Sequence, residues 1–267
     1  MKSLYSIVLL IGVTQIALAQ DRPLQRGNTH FFLGFNLPLV KVRDQAFSPQ
    51  IYRGLNPSLQ LGYERIGEDI VSRLSFSISY GAIRPKPRPK PDKQLSNADI
   101  NIFEVSYAYY KRLNAAYTEG GLNRYLGVSL SFTFDGRAYN LPSNNLFGFQ
   151  ANTAINFGGL LRKKLNDNWV FDYEAFSPVL SYAMRPNYVG MMPLQSGDFT
   201  AKKIVGSGQF TTVHKLFRFY NRFNFDQTIN DHRRRRLAYV WDLTINQVAR
   251  PLTMVSSGLT YESIFKM

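Results

Sequence analysis

The stretch from Lys215 to Gln227, K-L-F-R-F-Y-N-R-F-N-F-D-Q, constrains the fold of this chain more than any other. Read with a period of two, Phe217, Phe219, Asn221, Phe223 and Phe225 fall on one side. Leu216, Arg218, Tyr220, Arg222, Asn224 and Asp226 fall on the other. Successive side chains of a strand point to opposite faces, so one face is nearly all phenylalanine and the other carries charge. Water tolerates such a strand only if a second layer covers the aromatic row. Hydrocarbon tolerates it if the arginines and the aspartate turn toward an interior.

The same alternation recurs along the chain. Phe31, Leu33, Phe35, Leu37 and Leu39 oppose Phe32, Gly34 and Asn36, and Leu74, Phe76, Ile78 and Tyr80 oppose Arg73, Ser75, Ser77 and Ser79. Leu126, Val128, Leu130, Phe132 and Phe134 oppose Gly127, Ser129, Ser131 and Thr133. Strands are predicted over residues 29–39, 56–65, 71–83, 98–113, 124–135, 146–161, 169–182, 208–229, 237–247 and 253–265, with a bend or bulge at Ser177-Pro178. Connections alternate short (66–69, 114–123, 162–168, 230–236) and long (40–56, 84–97, 136–145, 184–207), with 248–252 as a short exception.

Side-chain volume separates an inward from an outward apolar face. The apolar faces hold too many Phe and Tyr for the lumen of a barrel of this size, whereas Gly, Ser, Thr and Asn on the other faces fit a crowded interior. Phe numbers 20 and Tyr 16 in the whole chain, yet mean hydropathy is negative, because aromatic and polar residues alternate rather than form blocks. The pattern therefore predicts an all-β antiparallel transmembrane barrel, an up-and-down meander of about ten strands (8–12).

The N-terminus reads as a secretory signal: Met1-Lys2-Ser3, an apolar run from Leu4 to Leu18, and a small-x-small site at Ala17-Leu18-Ala19. Residues 1–19 are expected to be the signal, 20–28 a short lead-in and 29–267 the barrel. There is no cysteine, so neither a disulfide framework nor a thiolate site is available. A formal charge of +14 would suit nucleic acid, but an exported chain meets lipopolysaccharide phosphates or passing anions instead.

The chain end adds a resemblance. Ser256-x-Gly258-x-x-Tyr261 followed by Phe265 resembles the C-terminal signal read by barrel-assembly machinery, with Ser263 standing where that signal prefers a hydrophobe. The mature chain as a whole resembles the small outer-membrane β-barrel proteins of Gram-negative bacteria. The resemblance implies a fold and a location in the outer membrane, and no catalytic residues.

The inward faces carry Glu64, Arg73, Glu104, Asp172, Glu174, Arg218, Arg222, Asp226, Asp242 and Glu262. Unpaired charges in a narrow lumen cost several kcal/mol, so opposite signs should interlock there. Arg84, Lys86, Arg88 and Lys90, each separated by proline, form an exposed basic arm in extended conformation. The run Arg233 to Arg236 reads as a solvated turn. Of the three histidines, His30 and His232 fall at the end of the short turns, and His214 faces inward near the opposite rim, with Asp198 its nearest acid in sequence. No spacing suits a metal or phosphate-binding loop.

These residues point to a barrel with a filled polar lumen and a structural, accessory or partner-binding role. Its expected partners are outer-membrane lipid, lipopolysaccharide, assembly machinery and an envelope protein, with no cofactor and no nucleic acid. A narrow channel for small anionic solutes is the first alternative, and a rim hydrolase using His214 the second.

Overall fold

The computed structural model describes residues 28–45, 50–85, 97–113, 120–139, 146–185, 208–248 and 250–267, and no helix occurs among them. Its strands are β1 (Asn28–Asp44), β2 (Ile51–Leu55), β3 (Ser58–Ile66), β4 (Ile70–Pro85), β5 (Ala98–Arg112) and β6 (Leu122–Tyr139). They continue as β7 (Leu146–Lys164), β8 (Trp169–Met184), β9 (Gln209–Thr211), β10 (Leu216–Asn230), β11 (Arg233–Asn246) and β12 (Leu252–Lys266). All pairings are antiparallel, and neighbours in sequence are neighbours in the sheet.

These twelve elements occupy ten ladder positions. β2 and β3 both pair with β1 and β4 and are one strand interrupted at Asn56-Pro57. Proline has no N–H for the ladder, but Asn56 N donates to Pro38 O at 3.0 Å and Tyr80 N to Pro57 O at 3.2 Å, so the sheet stays joined. β9 and β10 likewise both pair with β8, interrupted at 212–215. The β8–β10 pairing closes the ring.

Following partners once around the ring shows its stagger. The row runs Val170, Asp226, Arg236, Glu262, Gly34, Gln60, Ser77, Glu104, Thr133, Asn152 and back to β8 at Ala183. Discounting one residue at the β8 bulge beside Pro178, the stagger is about 12 residues, which for ten strands corresponds to a tilt of about 40°. The bulge leaves Val179 and Leu180 both facing outward.

Inside and outside are as the volume argument requires. Leu33, Phe35, Leu37, Leu59, Ile78, Tyr107, Leu130, Phe157, Phe223 and Leu259 are exposed on the outer face. Tyr173 and Phe223 are cross-strand partners with ring centroids 4.8 Å apart, and Phe171 and Phe225 are partners 5.1 Å apart. Inward positions along the middle of the wall are mostly small or polar, and three inward aromatics lie beside an inward glycine of the next strand. Phe32 pairs with Gly62, Tyr110 with Gly127 and Phe176 with Gly158.

Most strands outrun the expected ranges. Past Leu39 the sequence Val40-Lys41-Val42-Arg43 keeps its period of two but reverses its sense, with valines inward and cations outward. Tyr52, Ile83, Ala98, Ile100, Tyr139 and Leu252 join Val40 and Val42 in a buried apolar cluster inside this end of the ring. The reversal marks where the outer apolar band stops on this strand. Extending the strands shortens the connections. At the end where β1 begins they are 67–69, 113–121, 165–168 and 231–232 (the turn end). At the other they are 45–50, 86–97, 140–145, 185–208 and 247–251 (the loop end), of which 86–97 and 185–208 are the long ones.

Candidate functional site

Alternation on tilted strands aims charged side chains from many strands into one lumen, and they meet in three tiers. The turn-end tier centres on Arg236, which is 1% exposed. Its Nε and Nη2 donate to Asp226 at 2.5 and 2.7 Å, its Nη1 to Glu64 at 2.9 Å and to Glu262 at 3.1 Å. Glu262 also accepts from Arg73 at 2.7 Å and Arg222 at 2.6 Å, and Glu64 from Arg234 at 2.9 Å. Beside this cluster Arg162 clamps Asp172 with two bonds of 2.8 and 2.6 Å. Glu174, buried, is the cross-strand partner of Arg222. Arg73 lies over the Phe32 ring, 4.3 Å from its centroid, so that ring, seated against Gly62, forms a floor for the guanidinium.

The middle tier is Arg218, which donates to Asp242 at 2.6 and 2.9 Å and to Glu104 at 2.9 Å, with Thr133 at 3.3 Å. The loop-end tier joins Arg137 to Asp44 at 2.6 Å and to Asp135 at 3.1 Å, and Arg185 to Asp44 at 2.5 Å. Gln150 donates to Asp135 and accepts from Asn246, both at 3.0 Å, carrying the network across the ring.

Between these tiers lies a cavity of about 180 Å³ lined by Asn36, Ser75, Ser106, Ser131, Asn152 and Arg218 among others. Arg73 and Arg222 bound it toward the turn end, and Val40, Gln150 and Met254 toward the loop end. Its walls bond to one another: Asn156 Nδ2 donates to Ser129 and Ser131 hydroxyls at 3.0 Å, and the Ser75 and Ser106 hydroxyls are 2.7 Å apart.

All ten inward charges read from the sequence face this lumen. That set held three arginines against seven carboxylates, and the balance comes from residues assigned elsewhere. The sequence pattern places Arg234 and Arg236 in a solvated turn, but the turn is only 231–232 and the arginines open β11, where even-numbered ones point inward. Arg162, two residues before the end of β7, likewise turns in. Asp44, Asp135, Arg137 and Arg185 lie beyond or at the ends of the expected strands. Charge counting was the available signal, since a buried set with four excess negative charges has to recruit cations.

Elsewhere, His214 is not on an inward strand face. It is exposed in the 212–215 interruption, and its Nδ1 lies 2.6 Å from the Thr212 hydroxyl. Asp198 lies outside the described residues. His30 and His232 share a recess at the turn end with Asp231, Arg233, Arg234 and Lys266. Among the described residues no cluster of three or more His, Asp or Glu is placed to hold a metal ion. Arg84 faces outward from β4, whereas Lys86, Arg88 and Lys90 lie outside the described residues.

No family model matches the chain, and neither does any curated protein sequence. Among solved structures, the outer membrane protease OmpT from Escherichia coli superposes with a TM-score of 0.61 at 5% identity, covering 93% of this chain and 99% of that one. The fold is that of an outer-membrane β-barrel. The translocator domain of the autotransporter NalP from Neisseria meningitidis gives a TM-score of 0.47 at 6% identity, covering 100% of this chain and 98% of that one. Neisserial surface protein A gives 0.36 at 9% identity, covering 89% and 97%. At such identities the likeness is one of architecture, and no residue role passes from those proteins to this chain.

Proposed function

We propose that this chain spans the outer membrane of a Gram-negative cell as a barrel with a closed lumen, serving a structural, accessory or partner-binding role in the envelope. The turn end faces the periplasm and the end with the two long connections, 86–97 and 185–208, the outside, the arrangement usual for such barrels. Residues 1–19, outside the described residues, act as the export signal in this reading. The observation that carries it is the filling of both lumen ends. Arg236, Glu262 and Asp226 on the periplasmic side, and Arg137, Asp135 and Asp44 on the outer side, are each at most 2% exposed. A solute crossing the lumen has to part both tiers and leave their charges unpaired, at a cost of several kcal/mol per charge.

The enclosed polar cavity favours the narrow-channel alternative only if those tiers open. Purified, folded protein in a planar bilayer decides between them. Closed-lumen barrels give no current steps, and stable anion-selective steps would establish the channel. A hydrolase at the rim is not supported, because the one described partner of His214 is the neighbouring Thr212 hydroxyl.

A further inference from the structure

The outer wall carries a cationic row at the loop-end border of its apolar band. One hydrogen-bonded row of outward positions runs Phe219, Leu243, Val255, Lys41, Arg53, Arg84 across β10, β11, β12, β1, β2 and β4. Its first half is apolar and its second half wholly basic, the change falling between β12 and β1. Arg43 stands two residues beyond Lys41 on the same face. Directly below the basic half lies the apolar pair Leu39 and Leu55.

Cross-strand partners on one face stand about 4.5–5.5 Å apart, and like charges placed so destabilise a sheet. Here Lys41, Arg53 and Arg84 are consecutive partners, all three exposed, and none forms an ion pair with a described residue. The nearest carboxylate on this face by register is Asp99, the partner of Ala82 rather than of Arg84. The sheet therefore holds three adjacent cations that its own carboxylates leave unmatched. They sit where the apolar band gives way to water, and because rows climb toward the loop end they spread over a few ångströms of depth.

We infer that Lys41, Arg53 and Arg84, with Arg43 beside them, bind the phosphates of the outer-leaflet glycolipid, lipid A, while Leu39 and Leu55 meet its acyl chains. This rests on the membrane reading above and adds the ligand and its residues. Two phosphates on a rigid disaccharide match a fixed row of cations better than the single phosphate of a phospholipid, and guanidinium–phosphate bonds are among the stronger charge-assisted ones.

The test is native mass spectrometry of the purified full-length protein in detergent with added diphosphoryl lipid A, dephosphorylated lipid A or phosphatidylglycerol. Wild type is expected to retain diphosphoryl lipid A about tenfold or more better than either comparison lipid. The triple variant Lys41→Gln/Arg53→Gln/Arg84→Gln is expected to lose that preference, and Lys41→Arg/Arg53→Lys/Arg84→Lys to keep most of it. Equal retention by wild type and the glutamine variant, or equal retention of all three lipids by wild type, overturns the inference. The wild-type lipid comparison decides even if the glutamine variant fails to fold. Recovery of wild type from a soluble fraction would instead overturn the membrane reading beneath it.

Discussion

Arg236 on β11 and Asp226 on β10 are direct cross-strand partners, joined inside the lumen by two hydrogen bonds of 2.5 and 2.7 Å. The same guanidinium reaches Glu64 on β3 and Glu262 on β12, so one side chain ties together four ladder positions of the ring. Replacing it with alanine leaves three carboxylates short of a partner in a space that water barely enters. Arg236→Ala is expected to cost about 3–5 kcal/mol, read as a lower urea midpoint for loss of the folded band in lipid vesicles. Asp226→Asn keeps the shape and one acceptor and should cost less.

The lipid-facing wall gives a second test. Leu130 lies mid-strand on the outer face of β6 and is 55% exposed. Leu130→Arg puts a charge into hydrocarbon and is expected to cost about 2–4 kcal/mol. The inward neighbour Ser131 lines the polar cavity, so Ser131→Thr should change stability little. Equal effects at the two positions in an unfolding titration would show that the faces are assigned the wrong way round.

Gly62 tests the aromatic-on-glycine packing. A Cβ there would stand 2.7 Å from the tip of the Phe32 ring and 2.0 Å from the Leu74 carbonyl oxygen. Both the ring and the strand pairing have to shift, and with the ring goes the floor under Arg73. Gly62→Ala is expected to destabilise the barrel by about 1–3 kcal/mol. Pairing it with Phe32→Leu should recover part of the ring's share of that loss in a double-mutant cycle.

The loop-end tier should behave as a separate unit. Asp44 accepts from both Arg137 and Arg185. Asp44→Ala leaves two buried guanidinium groups without that carboxylate, above the level of the apolar band. Limited proteolysis is expected to cut the loop end of this variant faster than wild type. Its membrane-embedded wall should stay folded by gel mobility.

The sequence was most legible where polarity alternates in one sense. Leu33, Phe35 and Leu37 outward with Gly34 and Asn36 inward could be read directly, as could the bulge at Pro178. It was least legible where the sense reverses. Val40 and Val42 look like a strand ending, because a reader following the membrane rule expects polar residues inward. The structure keeps the strand and changes only the surroundings outside it.

The lumenal network was legible only in part. Carboxylates such as Glu64, Asp172 and Glu262 sit within clean alternation, so their direction followed from period alone. Arg234 and Arg236 are part of a run of four arginines, and a run hides its own period. Arg234 and Arg236 face inward, while Arg233 and Arg235 are exposed. Long-range pairs such as Arg73 with Glu262 depend on the curvature and stagger of the closed ring, which no local pattern encodes.

Gel mobility of the protein in isolated outer membranes, with and without boiling, tests the central claim most directly. A membrane-spanning closed barrel resists detergent until heated, so the unboiled sample should migrate faster than the boiled one and be found in the outer-membrane fraction. A protein recovered from the soluble periplasm with identical mobility in both samples would contradict the account, and the exposed aromatic wall would then need a protein cover instead of lipid.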